Sequence, residues 1–459
     1  MSWRPRMFAT GAELPIVADP NYRQPARRRT ELGLMVLAVV LTGGLYVLAS
    51  LGKSGSLPAN IGPFLIIVCG LLLVAHVGMR KLAPYADPVL LPTAALLNGL
   101  GYVFIARLNS QLAALQALWT AIGIGAFLAT LVVVRRARDL ERYRYLFALG
   151  GIGLLLMPLL PVIGQNINGA RLWIRVAGIT FQPGELAKIA LAIFFASYMA
   201  ERREMLARGT RKIGNVLLID PKYIAPVLAA WALSLAIFFF ENDLGSSFLF
   251  FALFIGMLWI ATGRGWYLGM GAVLFAAGAT VAMKVIGHAK SRVQVWLNPW
   301  PVYNTSGYQI IQGLFAMAAG GVFGDGPGQG SPQRIPEVAT DFIFAAIAEE
   351  LGLLGAGAVL AGYLLMVGSG LRIAVRCENP FEKLLAAGLA LVVGIQVFVI
   401  VGGVTRIIPL TGITLPFISY GGSSLIANYI LLALLLRISN DSSTPEVVPA
   451  GAAADTVYG

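Results

Sequence analysis

Residues able to do chemistry are sparse in this chain, and they gather in a few places. The densest stretch is 286–352, a hydrophilic interruption in an otherwise apolar sequence. It holds Lys290, Arg292, Asn298-Pro299-Trp300 and Gly307-Tyr308-Gln309, then a glycine-rich run over 320–330. Pro336-Glu337, Thr340-Asp341 and the pair Glu349-Glu350 follow. Two adjacent carboxylates entering an apolar helix need partners, a proton or a water-filled cavity; Arg406 is one available partner. Asp341, just before an apolar run, suits a helix cap as well as proton transfer. Upstream, Arg171 and Arg175 precede a helix start at Pro183-Gly184-Glu185. Two guanidiniums beside a helix N-terminus could hold a phosphate or pyrophosphate. Glu185 and Lys188 share one helical face and can pair, as a structural bridge or as part of a site. Asp243, in Glu241-Asn242-Asp243-Leu244-Gly245-Ser246-Ser247, can cap the helix that follows.

The elements that must carry these residues are membrane helices. Hydrophobic residues make up 58% of the chain and charged residues 12%, with a mean hydropathy of +0.77. That balance excludes a soluble domain of this length. Apolar runs long enough to cross a bilayer occur at about 33–52, 61–79, 88–108, 112–134, 145–163, 181–200, 223–240, 245–263, 266–286, 342–367, 382–404 and 416–437. The expected fold is therefore an all-α polytopic membrane protein with about twelve transmembrane helices. With the N-terminus inside, 24 Lys and Arg fall in inner segments and nine in outer ones. This bias places both termini in the cytoplasm and the long loop, 287–341, outside. The net charge of +12 reflects that anchoring. Basic residues scattered over many short loops do not suit nucleic acid.

Residues 1–32, rich in Arg and Pro, and 438–459 are expected to be disordered cytoplasmic tails. The two cysteines, Cys69 in a span and Cys377 on the inner side, form no disulfide framework. With only His76 and His288, no metal-ligand spacing appears. Trp119, near the outer end of the fourth span, fits an interfacial anchor or a groove wall. The stretch 409–424, PLTGITLPFISYGGSS, is too rich in Pro and Gly for a regular helix; at membrane depth such backbone lines a cavity.

Five blocks together resemble one family, the SEDS proteins (shape, elongation, division and sporulation), which include RodA, FtsW and SpoVE. They are NGA-x-x-W-I with QPGELAK at 168–188, DLGSS at 243–247, NPW…SGYQ at 298–309, PE-x-x-TDFIFA-x-x-AEELG at 336–352 and LPFISYGGSS at 415–424. The resemblance covers about 88–437. It implies a ten-helix core preceded by an extra N-terminal pair at 33–87. It further implies a peptidoglycan glycosyltransferase that polymerises lipid II, a disaccharide-pentapeptide on undecaprenyl pyrophosphate, at the outer face of the bacterial cytoplasmic membrane. A class B penicillin-binding protein is the implied partner. Such a reaction needs a base for the acceptor hydroxyl and cations for the departing pyrophosphate. The resemblance requires no cofactor and leaves a divalent cation open.

The implied substrate-binding residues are Trp119, Arg171, Arg175, Glu185, Lys188, Asp243, Arg292, Gln312, Glu349, Glu350, Ser419, Gly421, Gly422 and Ser423. One departure stands out, because the family's catalytic Asp aligns with Val302, which cannot accept a proton. Asp341 and Glu337, flanking the same loop, are the leading substitutes, with Asp243 behind them. A degenerate homologue kept as a lipid II-binding scaffold, or a lipid II flippase, are the alternatives.

Overall fold

The computed structural model describes residues 28–443 apart from short breaks at 59–60, 168, 177, 208–210, 214–215, 219–220, 242 and 286. The expected tails at 1–27 and 444–459, and Asn168 of the NGA block, lie outside the described residues. The helices are α1 (Arg28–Ser54), α2 (Ile61–Leu82), α3 (Leu90–Leu108), α4 (Ser110–Val133), α5 (Arg144–Leu156) and α6 (Gly184–Glu201). Then come α7 (Arg203–Ala207), α8 (Pro221–Glu241), α9 (Leu244–Thr262), α10 (Trp266–Val285), α11 (Gly287–Leu297) and α12 (Tyr308–Gly320). The last three are α13 (Ile343–Arg376), α14 (Pro380–Val404) and α15 (Gly422–Ser443). Each of the twelve expected spans falls on a helix. Among the described residues nine of these, α1–α4, α9, α10 and α13–α15, are long and apolar enough to cross a membrane.

Two small sheets interrupt the all-helical plan. Strands β1 (Gly164–Ile167), β2 (Ala170–Val176) and β3 (Ile179–Phe181) form an antiparallel sheet in order β1-β2-β3, and β4 (Arg211–Ile213) pairs with β5 (Val216–Leu218). Neither is visible as an apolar alternation, because the strands are only three to seven residues long.

Burial sorts the helices. α14 and α15 are covered along most of their length and form the centre of the bundle, whereas α1, α2 and α10 leave most of their apolar surface outward, as lipid-facing helices do. α1 packs along α3, and α2 against α4. The two added helices join each other through a buried pair in which His76 Nδ1 lies 2.5 Å from Glu31 Oε1.

Several boundaries differ from the sequence reading: α5 ends at Leu156 rather than 163, and α13 runs to Arg376 rather than 367. α1 begins at Arg28 rather than 33. α15 runs on to Ser443, because its end is stitched to neighbouring loops: Arg437 donates to the carbonyls of Leu82 (2.8 Å) and Leu131 (2.5 Å), and Asp441 accepts from Ala137 N (2.8 Å). Ile438 is fully buried there. α15 also starts late, at Gly422, since 409–421 is irregular as the Pro and Gly content predicts.

α13 is two helices in one. Gly352, at φ 66 and ψ −168, breaks it into a short buried segment, 343–351, and a longer span. The positive φ demands glycine, and a Cβ there would also meet the Val322 carbonyl at 2.4 Å.

Candidate functional site

At the end of the bundle that carries the long loop, polar side chains form two clusters. The first is built by the short half of α13. Glu350, 1% exposed, pairs through Oε1 with Arg107 Nε of α3 at 2.6 Å and accepts from Gly328 N through Oε2 at 2.8 Å. Glu349 Oε1 accepts from Ser331 N at 2.8 Å, while its Oε2 is buried without a hydrogen-bond partner. Arg107 also donates to the Gly330 carbonyl (2.7 Å), and Lys53 of α1 donates to the Arg107 carbonyl (2.8 Å). Asp325 N and Gly326 N donate to the carbonyls of Glu349 and Glu350. The carboxylates thus fasten the glycine loop, 324–331, to the bundle.

Arg406 is therefore not the partner of the Glu349-Glu350 pair. It donates to the carbonyls of Trp296 (2.8 Å) and Leu297 (3.1 Å) and receives Trp296 Nε1–H on its own carbonyl (2.9 Å), tying the end of α11 to the turn after α14. Arg107 lies 243 positions before Glu350, too far for sequence spacing to suggest the pair. The available signal was an arginine closing an otherwise apolar helix.

The second cluster is organised by the irregular segment 409–421, which is bonded on every side. Arg292 of α11 donates to the carbonyls of Leu410 (3.0 Å) and Thr411 (2.8 Å). Ser419 Oγ donates to the Thr340 carbonyl (2.5 Å) and Tyr420 N to the Ala339 carbonyl (2.8 Å), which fixes the approach to Asp341. Gln182 N donates to Ser423 Oγ at 2.9 Å. Trp119 packs on Gly422, where a Cβ would come within 2.3 Å of its ring. Gly421 completes the turn into α15 beside Thr414.

Glu185 and Lys188 do pair, at 2.7 Å and buried, and Lys188 also donates to Gln396 Oε1 (3.0 Å), whose Nε2 donates to the Thr414 carbonyl (3.1 Å). That chain holds the irregular segment from below. Gln396 is a positioning residue the sequence reading missed; the signal was a lone amide inside the apolar run 382–404.

Asp341 and Arg292 converge beneath Gly412. A Cβ on Gly412 would stand 3.5 Å from Asp341 Oδ2 and 3.9 Å from Arg292 Nη2, and its φ of 77 suits only glycine. Burial first, and the neighbouring Glu337 carboxylate second, push Asp341 up to about 6; Thr340 and Arg292 pull the other way and Asp243 adds to the rise. Asp243 caps α9, as its position suggests: Oδ1 accepts from Gly245 N (2.9 Å) and Ser246 N (3.1 Å). Its Oδ2, like Thr411 Oγ1, is buried with no hydrogen-bond partner.

Backbone strain marks the same region. The non-glycine residues with positive φ among those described are Glu337 (51), Arg406 (61) and Phe417 (66). All three lie in the segments that frame the second cluster, where strain of about 1–3 kcal/mol each is held by the surrounding bonds.

The remaining candidates sit apart. Arg171 and Arg175 project with period two from one exposed face of β2, not from the start of α6. Gln312 of α12 makes a long contact to Tyr303 Oη, 3.4 Å. Val302 lies half-buried in a 3₁₀ turn, 300–302, where its carbonyl accepts from Thr305 N and Gly307 N.

The fold and these clusters define a multi-pass membrane protein whose polar work is done at one end of the bundle. The chain matches the family model described as "Cell cycle protein", FtsW/RodA/SpoVE, over residues 91–444, and it belongs to that family. It is 42% identical over 449 residues to a protein of Mycobacterium tuberculosis named peptidoglycan glycosyltransferase RodA, covering 95% of each chain. A Mycobacterium leprae protein of the same name is 43% identical over 431 residues, 92% of each. Matches of that length run past the 91–444 region and take in at least part of the α1–α2 pair. Among solved structures, one described as "Structural coordination of polymerization and crosslinking by a peptidoglycan synthase complex" aligns with a TM-score of 0.54 at 26% identity, over 83% of this chain and 97% of that one.

Proposed function

We propose that this chain is a peptidoglycan glycosyltransferase that polymerises lipid II at the outer face of the bacterial cytoplasmic membrane, with both termini inside. The curated relatives carry that activity in their names, and the loop end carries chemistry that suits it. The observation that carries the reading is the meeting of Asp341 and Arg292 beside Gly412, with Asp243 and Thr411, which lie together beside Gly245, each keeping a buried oxygen without a hydrogen-bond partner. Buried acceptors without partners suit a substrate rich in hydroxyls, which would satisfy them on binding. A carboxylate held near 6 is a better base than an ordinary one and is still ionised at neutral pH.

In the proposed step Asp341 takes the proton of the acceptor sugar hydroxyl, whose oxygen attacks the donor's anomeric carbon. Undecaprenyl pyrophosphate leaves, and Arg171 and Arg175 on the exposed sheet supply cations for it. A class B penicillin-binding protein is the proposed partner, in keeping with the complex described for the structural neighbour. Val302 favours a second reading, a homologue that binds lipid II without polymerising it. Glycan synthesis by the purified chain separates the two.

A further inference from the structure

Away from the loop-end clusters, α2 and the α3–α4 pair enclose a cavity of about 60 Å³, lined by Phe64, Ile67, Leu71, Ala95, Asn98 and Tyr429 among others. Its rim residue Ile67 is 51% exposed, so the cavity reaches the lipid-facing side of the bundle. The floor is polar. Asn98 Nδ2 donates to Thr120 Oγ1 (3.2 Å) and Tyr429 Oη (3.1 Å), but Asn98 Oδ1 is buried with no partner, on a residue only 7% exposed. At 1.5 Å per residue Asn98 lies about 12–15 Å from either end of α3, close to mid-bilayer. A lipid headgroup does not reach that depth, and a helix, about 10 Å across, does not fit.

We propose that this cavity is a lipid-chain site: the tail of a bilayer phospholipid lies along α2 against Ile67 and Leu71, over the cavity floored by Asn98. The occupant leans on Tyr429, whose ring meets Phe417 of the irregular segment edge-on at 5.4 Å. The site therefore abuts the scaffold of the loop-end cluster, and it is built partly from the added helix α2.

The test is photo-crosslinking of the purified full chain in phospholipid vesicles carrying a lipid with a diazirine near the end of one acyl chain, followed by peptide mapping. Adducts on peptides covering 64–72 and 95–120 are expected to exceed, several-fold, those on the lipid-facing residues Val273 and Phe275 of α10. Ala117→Phe, which fills the cavity, is expected to abolish the excess and leave α10 labelling unchanged. Groove adducts no stronger than those on α10 in the wild type would overturn the proposal, whatever the variant does. So would an excess undiminished in an Ala117→Phe protein with native α10 labelling.

Discussion

The two clusters at the loop end use the same ingredients, an arginine and buried carboxylates, to opposite effect. Around Glu350 both carboxylate oxygens are engaged, by Arg107 and by the Gly328 amide, and the group is sealed. Around Asp341 the arginine is turned to the Leu410 and Thr411 carbonyls, Asp243 keeps an oxygen free, and Asp341 is held near 6. Each cluster keeps one buried carboxylate oxygen without a partner, Glu349 Oε2 in the first and Asp243 Oδ2 in the second. The first nonetheless fastens a backbone loop, while the second leaves Asp341 beside an arginine it does not bond. Exposure separates them as well: Glu350 is sealed, whereas Asp341 and Arg292 are half-buried.

Breaking each cluster should therefore fail differently. Asp341→Asn should lower kcat for lipid II polymerisation by roughly 10²–10⁴-fold, the range for a positioned base. It should not lower thermal stability. The folded protein holds this carboxyl above its ordinary value, so although it is ionised at neutral pH its charge costs the folded state stability, and the neutral amide removes that cost. Arg107→Ala should do the reverse in kind: leaving Glu350 buried and unpaired costs about 3–5 kcal/mol. A thermal scan should show a large drop, with the glycine loop newly open to proteolysis. If Arg107→Ala leaves the melting temperature untouched, the clamp reading fails.

Smaller effects sharpen the contrast. Arg171→Ala with Arg175→Ala should weaken lipid II binding at unchanged stability, because both side chains are exposed; unaltered affinity would remove the sheet from the site. Glu337→Gln should act only on the pH profile. Activity should fall on acidification through about pH 6 as Asp341 is protonated, and removing the Glu337 charge, the second cause of the rise, should move that fall to lower pH. An unmoved profile would mean Asp341 is not the titrating base.

Much of the architecture was legible because a bilayer demands long apolar runs, and each expected span lies on a helix. The irregular backbone at 409–421 was legible for the converse reason, its Pro and Gly content. What escaped was contact between distant positions. Glu350 meets Arg107 rather than Arg406, and Gln396 bridges Lys188 to Thr414, because helix packing brings them together and no local pattern records it. The pairing of Glu185 with Lys188 was readable, being one turn of one helix. The hairpin that carries Arg171 and Arg175 was not, being too short for alternation to show. The continuation of α15 past 437 depends on tertiary bonds such as Arg437 to Leu82 and Leu131.

The most direct test is glycan synthesis from lipid II by the purified chain, alone and with its class B penicillin-binding protein, alongside Asp341→Asn and Val302→Asp. The account predicts polymer from the wild type, none from a folded Asp341→Asn protein, and no dependence on a new acid at 302. Polymer from Val302→Asp but not from the wild type would contradict it, and would make this chain a binding scaffold whose base has been lost.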